Sequence, residues 1–353
     1  MRHEGQDTYT RAVPSYFPPG PCKLAFVGEA PSYEECERMI PFVGGAGRTL
    51  NAMLRASNID RDACYLGNVY STKLEDNDVL RHRKTMSVES WEHFHKASVA
   101  RLSGELRVAN PAVVVALGAT ALHALCGTAK IAAHRGQPLP GTGDFAAYTV
   151  FPTFHPAALM RQWTMFSTGV ADLMKASALA DKGGKITYPR RLLNITPTIE
   201  EVEAYLGGPC RQADPLSCDI ETGWAMLRGV SFSHNAENAL YVPFIWLSNA
   251  DKSYWRDPKH EVRAWRAVKE CLESDTPKLG QNFGSYDITW LLQKAGIRVR
   301  NFAHDTRLLH KALYPELPAK LEFMGSAYSS QGSWKSWGGW GTTQAQRGEK
   351  RDE

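Results

Sequence analysis

The chain has 353 residues, 43% of them hydrophobic and 22% charged, with a formal net charge of +4. At roughly 150 residues per domain that length predicts two domains, and the composition excludes a disordered chain, a collagen-like chain and a small disulfide scaffold. No apolar run approaches the roughly 18 residues of a membrane span, and the opening MRHEGQDTYTRAVPSYF holds no apolar secretory segment. The mild positive charge permits an anionic partner without demanding one. The 7 cysteines include no Cys-x-x-Cys pair, so zinc or iron–sulfur sites built on close pairs have little support. An odd cysteine count without a leader points to a reducing compartment.

In chain order, Lys23-Leu24-Ala25-Phe26-Val27 is a short apolar run ending at Gly28, read as a buried strand feeding a loop. Past Gly44-Gly45-Ala46-Gly47, residues 48–57 set Leu50, Met53 and Leu54 at helical spacing. Residues 64–70 read as a strand, 90–108 as a helix, 111–117 as the clearest strand, 119–125 as a helix, and 148–151 as a strand running into Phe154-His155-Pro156. Strands alternating with helices predict an α/β layered sheet. The charged, Gly-containing stretch 182–191 reads as a linker, which makes 1–181 the first domain. The pattern then restarts with a helix at 199–206 and a strand at 216–221 ending in acids. Strands at 229–232 and 239–244 continue an antiparallel meander, followed by a helix at 262–272, a strand-to-loop at 278–282 and a helix at 286–295. The second domain is taken as 192–335. From about Gly332 the composition turns to Gly, Trp, Ser and charge, so 336–353 reads as a flexible tail.

Three short segments sit at predicted strand ends: Gly28-Glu29-Ala30-Pro31, Asn68, and His155-Pro156-Ala157-Ala158. Loops leaving the carboxyl ends of the strands of an open α/β sheet line one crevice, so residues distant in sequence can converge there. A carboxylate can orient water, an amide can read a carbonyl/imide edge, and a histidine can stabilise an oxyanion. Taken singly, each is more often a turn residue, a cap or a satisfied core histidine.

Together with Pro41-Phe42-Val43-Gly44-Gly45-Ala46-Gly47-Arg48, Leu117-Gly118-Ala119-Thr120-Ala121 and Arg135-Gly136-Gln137, the series in this order closely resembles the uracil-DNA glycosylase superfamily, nearest to its family 4. The resemblance covers about the first half of the chain. It implies a three-layer α/β domain that hydrolyses the N-glycosidic bond of uracil in DNA. Glu29 lies in the water-activating motif, Phe42 matches the aromatic that stacks on the flipped base, Asn68 the amide that bonds uracil, and His155 the catalytic histidine beside the uracil carbonyl. Gly44, Gly45, Gly47 and Arg48 open a helix whose free amides suit a phosphate, and Pro156 and Arg161 lie on the histidine's DNA-entering segment. Three departures are visible. Ser32 replaces the usual glycine after Gly-Glu-Ala-Pro. The family's four cluster cysteines have no recognisable counterpart, so no iron–sulfur cluster and no cofactor is expected for the glycosylase. A longer polar stretch with Arg81-His82-Arg83-Lys84 follows Asn68 and reads as a solvated basic loop; the match of His82 to the covalently bonding histidine of a related branch is poor.

In the second half, Asp219-Ile220-Glu221 puts two carboxylates on one side of a strand, an arrangement that suits a divalent cation. With Gly280-Gln281-Asn282, Tyr286-Asp287 and His304-Asp305-Thr306-Arg307, it resembles the 3′–5′ proofreading exonuclease domain of family A DNA polymerases, of phage type. That implies a ribonuclease H-like α/β fold with Asp219, Glu221 and Asp287 as ligands for Mg or Mn. The family's later Tyr-x-x-x-Asp segment is missing, because neither Tyr314 nor Tyr328 is followed by Asp four residues on. The expected exonuclease is therefore weak or dead. The expected partner is uracil-containing DNA, with no membrane, in the cytoplasm of a bacterium or a phage-infected host cell. An alternative of a different class is a non-catalytic DNA-binding module that tethers or recruits a separately encoded DNA polymerase; turnover on uracil DNA separates the two.

Overall fold

The structure, a computed structural model, describes residues 11–75, 78–187, 190–223, 226–247, 249 and 252–329. Of these, 11–187 and 322–329 form one compact unit and 190–321 the other.

The first unit runs β1 (Leu24–Gly28), α1 (Tyr33–Arg38), α2 (Gly45–Ala56), β2 (Tyr65–Asn68), α3 (Val79–Lys84), α4 (Val88–Ala109), β3 (Val113–Leu117), α5 (Gly118–Cys126), α6 (Ile131–His134), β4 (Leu139–Pro140), β5 (Thr149–Thr153), α7 (Pro156–Arg161) and α8 (Phe166–Asp181). Its sheet has the order β2-β1-β3-β5-β4. The first four strands in that order are parallel and β4 is antiparallel to β5. Every residue of β1 and β3 is buried, as parallel strands covered on both faces require. Alternation sorts them: Leu24 and Phe26 join Leu50, Met53, Leu54 and Leu173 of α2 and α8 in one core. Ala25 and Val27 join Leu102, Leu106, Leu122 and Leu125 of α4 and α5 in the other. Fully burying one such leucine is worth about 1.5–3 kcal/mol. Between β1 and β3 the order reverses direction, and a crevice opens beyond their carboxyl ends.

The second unit runs β6 (Leu192–Asn194), α9 (Ile199–Gly207), β7 (Leu216–Gly223), β8 (Met226–Ser233), β9 (Asn238–Pro243), α10 (Pro258–Leu272), β10 (Lys278–Gly280), α11 (Asp287–Ala295), β11 (Phe302–Asp305) and α12 (Thr306–Leu313). Its sheet order is β11-β10-β7-β8-β9-β6. β7, β8 and β9 form the antiparallel meander, β10 and β11 run parallel to β7, and β6 runs parallel to β9. This mixed sheet with helices fits the expected ribonuclease H-like class. Leu216, Cys218 and Ile220 of β7 point into a core with Val202, Leu206, Val268 and Leu272 of α9 and α10. Asp219 and Glu221 therefore face the other way, out of that core.

Several elements differ from the sequence reading. The basic stretch 81–84 is not a loop but the end of α3, started by Asp78, whose carboxylate accepts from Leu80 N at 2.8 Å. α8 escaped notice because Thr168 and Asp172 interrupt its buried face. α10 begins at Pro258 rather than 262, since Asp257 caps it through Lys259 N at 2.8 Å. α13 (Leu321–Tyr328) was expected in the second domain, but from Glu322 on its residues group with the first unit. The expected tail, 336–353, lies outside the described residues. No helix among the described residues is long and apolar enough to cross a membrane.

Candidate active site

Glu29 is the first residue beyond β1. Its carboxylate accepts from Thr120 Oγ1, in the first turn of α5. Burial pushes the Glu29 carboxyl above its ordinary value, against the lowering effect of hydrogen bonds from Thr120 and the Val79 backbone, while Asp78 pushes it further up. Glu29 is thus held where a proton is easier to accept than on a solvated carboxylate.

Phe42 is buried and held in the left-handed region at φ 55°, a conformation that costs a bulky residue about 1–3 kcal/mol. Its surroundings over-determine it. Glu35 accepts from Phe42 N and Ser32 N, each at 2.5 Å. The Arg61 guanidinium donates to Pro41 O at 3.0 Å and Phe42 O at 3.3 Å, and to Asn51 Oδ1 at 2.7 Å. Gly47 is required here: a Cβ on it would lie 1.9 Å from Phe42 O.

Asn68 ends β2, opposite Gly28 in register, and is buried. Gly28 shows how closely the pieces converge: a Cβ there would meet Asn68 Oδ1 at 2.5 Å and Phe42 Cζ at 2.8 Å. The amide and the aromatic edge therefore close over the last α-carbon of β1. Just past the neighbouring strand β3, at the start of α5, Gly118 (φ +88°) plays the same part for His155, whose Cβ would be 2.9 Å from an added methyl.

His155 follows β5 and caps α7, its Nδ1 accepting from Ala157 N at 3.2 Å. Burial, and then the charge of Arg161, lower its pKa to about 4. The ring is neutral at ordinary pH, and with Nδ1 used as an acceptor its proton belongs on Nε2. It is a neutral donor, fixed by backbone.

A cavity of about 560 Å³ joins these groups; Glu29, Phe42, Gly45, His155 and Arg161 line it. Ala46, Ala157 and Ala158 line it as well, so the first turns of α2 and α7 border it. Asn68 is not itself a lining residue; its Oδ1 lies beside the Phe42 ring over Gly28, at the edge of these groups. Gly44 caps α2 beside the Ser32 hydroxyl, which would lie 2.8 Å from a Cβ on Gly44. Ser32, the departure from the family pattern, thus belongs to the wall formed by α1. Pro156 is buried at the first position of α7. Arg48 pairs with Glu34 at 3.1 Å. His82 is directed elsewhere: its ring packs edge-on against Trp91 and Phe94, and Nδ1 accepts from Glu75 N at 3.3 Å. Sequence reasoning gave no part to Thr120, Glu35 or Arg61. Glu35 was legible, because Ser32-x-x-Glu35 is a capping-box spacing ahead of a helix.

The sequence matches the uracil DNA glycosylase superfamily over residues 14–177. It is 34% identical over 166 residues to a type-4 uracil-DNA glycosylase of Thermotoga maritima, covering 46% of this chain and 80% of that protein. The chain belongs to the uracil-DNA glycosylase superfamily. It is also 26% identical over 211 residues to a type-4 uracil-DNA glycosylase of Sulfurisphaera tokodaii, covering 58% of this chain and 84% of that protein. Among solved structures, the EXD2 exonuclease domain soaked in Mn and GMP is similar at 17% identity and a TM-score of 0.26, over 44% of this chain and 80% of that one. The same domain soaked in Mg and dGMP gives 18% identity and a TM-score of 0.25, again over 44% and 80%. Likeness that low carries nothing about activity. A DNA glycosylase is what the superfamily makes of the first unit.

A four-thiolate iron–sulfur cluster does not fit the donor set of this glycosylase: its cysteines Cys22, Cys36, Cys64 and Cys126 stand as free thiols that among the described residues form no group of three, whereas such a cluster needs four thiolates gathered in one place. Among the described residues, no three His, Cys, Asp or Glu side chains are placed to hold a metal ion.

The expected metal ligands of the second unit are brought together. Asp219, Glu221 and Asp287 do come close enough to feel one another: burial first, then Asp287 and Glu221, push Asp219 up to about 7. Asp287 is pushed up to about 6, mainly by burial. But an oxygen of Asp287 already accepts from Ile220 N at 3.0 Å, tying it to the strand backbone. Asp305, the remaining acid nearby, accepts from Asn282 N at 3.0 Å and Arg307 N at 2.9 Å as the cap of α12.

Proposed function

We propose that the first unit hydrolyses the N-glycosidic bond of uracil in DNA. The observation that carries the reading is the closure of the Asn68 amide and the Phe42 ring over Gly28, in the crevice that also receives Glu29 and His155. A base must leave the helix before its glycosidic bond can be reached. The Phe42 ring supplies a stacking surface, and the Asn68 amide supplies one acceptor and one donor, matching uracil N3–H and O4. As the C1′–N1 bond breaks, its electron pair goes to the uracil ring and negative charge gathers on the carbonyl oxygens. The Nε2–H of neutral His155 is a fixed donor for that charge and needs no reorganisation when it develops. Glu29 orients a water toward C1′ and takes its proton as the new C–O bond forms. The first turn of α2, with Arg161, seats a backbone phosphate beside the base.

The test is Asn68→Asp. A carboxylate cannot donate to O4, and sites built on matched hydrogen bonds reject a mismatch strongly, so uracil excision relative to other bases falls. Unaltered selectivity removes Asn68 from the base pocket.

For the second unit we infer a phosphodiesterase-like domain with little or no 3′–5′ exonuclease activity in this chain, since the later Tyr-x-x-x-Asp segment that the resemblance calls for is missing: neither Tyr314 nor Tyr328 is followed by Asp four residues on. Release of nucleotides from a labelled single strand in Mg²⁺ or Mn²⁺, lost in Asp219→Ala, contradicts it.

A further inference from the structure

We propose that α13, the helix that follows the second unit in sequence, is a working part of the glycosylase unit and acts through Arg135 to position the loop carrying His155. The inference rests on the role given to His155 above, but its first readout does not need catalysis.

Arg135 is 1% exposed and Asp172 is 0% exposed. The guanidinium meets the carboxylate with both nitrogens, Nε donating to Oδ2 at 2.9 Å and Nη2 to Oδ1. Thr153, the last residue of β5, donates to the same Oδ2 at 2.8 Å. The remaining nitrogen, Nη1, donates to Ser326 Oγ of α13 at 2.8 Å. Two aromatic rings attend the guanidinium, Phe154 at 5.7 Å and Phe323 of α13 at 5.3 Å. Gly136 N donates to Pro152 O at 2.9 Å, so the Arg135–Gly136 segment is tied to β5 as well. Gly136 has φ +74°, and a Cβ on it would lie 2.6 Å from Asp172 Oδ1 and 3.0 Å from Ser326 O. Lys175 fastens the far end, its Nζ donating to Ser326 O at 2.6 Å and Ser329 O at 2.9 Å.

The chain of contact therefore runs from α13 through Arg135 to Pro152, Thr153 and Phe154, and the next residue is His155. A buried ionic network holds its geometry only when every member is satisfied; a half-satisfied one is worse than none. Without Phe323 and Ser326, Arg135 keeps its carboxylate but loses a hydrogen bond and one ring. The guanidinium can then follow solvent, and Phe154 can follow the guanidinium. Arg135 touches no reacting atom. It is a positioning residue, and α13 supplies its outer wall.

The experiment uses the full chain carrying Phe323→Leu with Ser326→Ala, which keep apolar bulk at the first position and side-chain size at the second, and neither residue lines the cavity. The first readout is the His155 imidazole titration by NMR. It is expected to move upward toward the ordinary histidine value as the loop loosens; an unmoved midpoint overturns the proposal. The second is single-turnover excision from a uracil-containing single-stranded oligonucleotide. The maximal rate is expected to fall about tenfold, with half-saturation within about threefold. The third is the same pair of changes on a His155→Ala background, where they should cost little more, because groups acting through one another are non-additive. A full tenfold additional loss there shows that α13 acts on stability alone. If the unchanged protein titrates as described but excises no uracil, the reading of the activity fails, and the titration still decides the positioning claim.

Discussion

Gly28→Ala is the smallest change that reaches the base-reading groups without touching either. The new methyl would stand 2.5 Å from Asn68 Oδ1 and 2.8 Å from Phe42 Cζ. Carbon needs about 3.5 Å from its neighbours, so the amide must retreat by about 1 Å and the ring by somewhat less. Neither is free to do so: Phe42 is clamped by Glu35 and Arg61, and Asn68 sits in the strand register. Overpacking of this kind costs about 1–3 kcal/mol, which in a unit of this size lowers Tm by about 3–10 °C. The effect on catalysis is larger, because misplacing recognition groups by about 1 Å costs about a hundredfold in rate. The assay is single-turnover release of uracil from an oligonucleotide, with alkali to cleave the abasic product, beside thermal melting. Gly20→Ala is the control, since a Cβ there meets nothing within 4 Å. A Gly28→Ala protein that melts lower yet excises uracil within threefold of the parent would refute the reasoning, because the base would then be read elsewhere.

The pH dependence of excision should show an acid limb above the ordinary glutamate value of 4.5, because Glu29 is raised and must be ionised to accept a proton. His155, already neutral above about 4, does not set it. The limb should persist in His155→Gln and move to higher pH in Thr120→Val, which removes a bond that favours the charged carboxylate; a limb near 6.5 that vanishes in His155→Gln contradicts this. Depression of the His155 pKa from 6.5 to about 4 also means that the unfolded chain binds more protons in that window. This contribution to stability is present above pH 6.5 and is lost as pH falls toward 4; His155→Gln should flatten that part of the Tm profile. Asp219 has the opposite sign. Its folded pKa of about 7 lies above the ordinary 3.8, so the native state binds more protons and its stability declines as pH rises between the two values. Asp219→Asn should raise the melting temperature of the second unit more at pH 8 than at pH 4, and a lower value at pH 8 contradicts the assignment.

The sheet of the first unit was legible because β1 and β3 are unbroken apolar runs ending at glycines, the pattern of strands buried on both faces. The convergence of Glu29 and His155 on one cavity followed from their places at strand ends, whereas Phe42, between α1 and α2, was legible only through the family resemblance. α8 was not legible, because the buried Asp172 that breaks its apolar stripe has its partner Arg135 nearly forty positions away. The same long-range pair hid the membership of α13: nothing local in Leu321–Tyr328 says that Phe323 and Ser326 answer an arginine in the first unit. Thr120 carried no signal alone, since a threonine after a strand is an ordinary helix-start residue. The expected metal ligands show the converse. Asp-x-Glu on a strand was read correctly as a shared face, but sequence spacing cannot show that Asp287 spends an oxygen on the Ile220 backbone.

The central claim is that Glu29, Phe42, Asn68 and His155 perform uracil excision by the chemistry of their own side chains. The most direct measurement is a gel assay on a uracil-containing oligonucleotide, developed with alkali, with and without EDTA, for the full chain and for Glu29→Gln. The account predicts a cleaved product that survives EDTA and falls by about a hundredfold or more in Glu29→Gln. No product at high enzyme, strict dependence on Mg²⁺, or full activity in Glu29→Gln would contradict it.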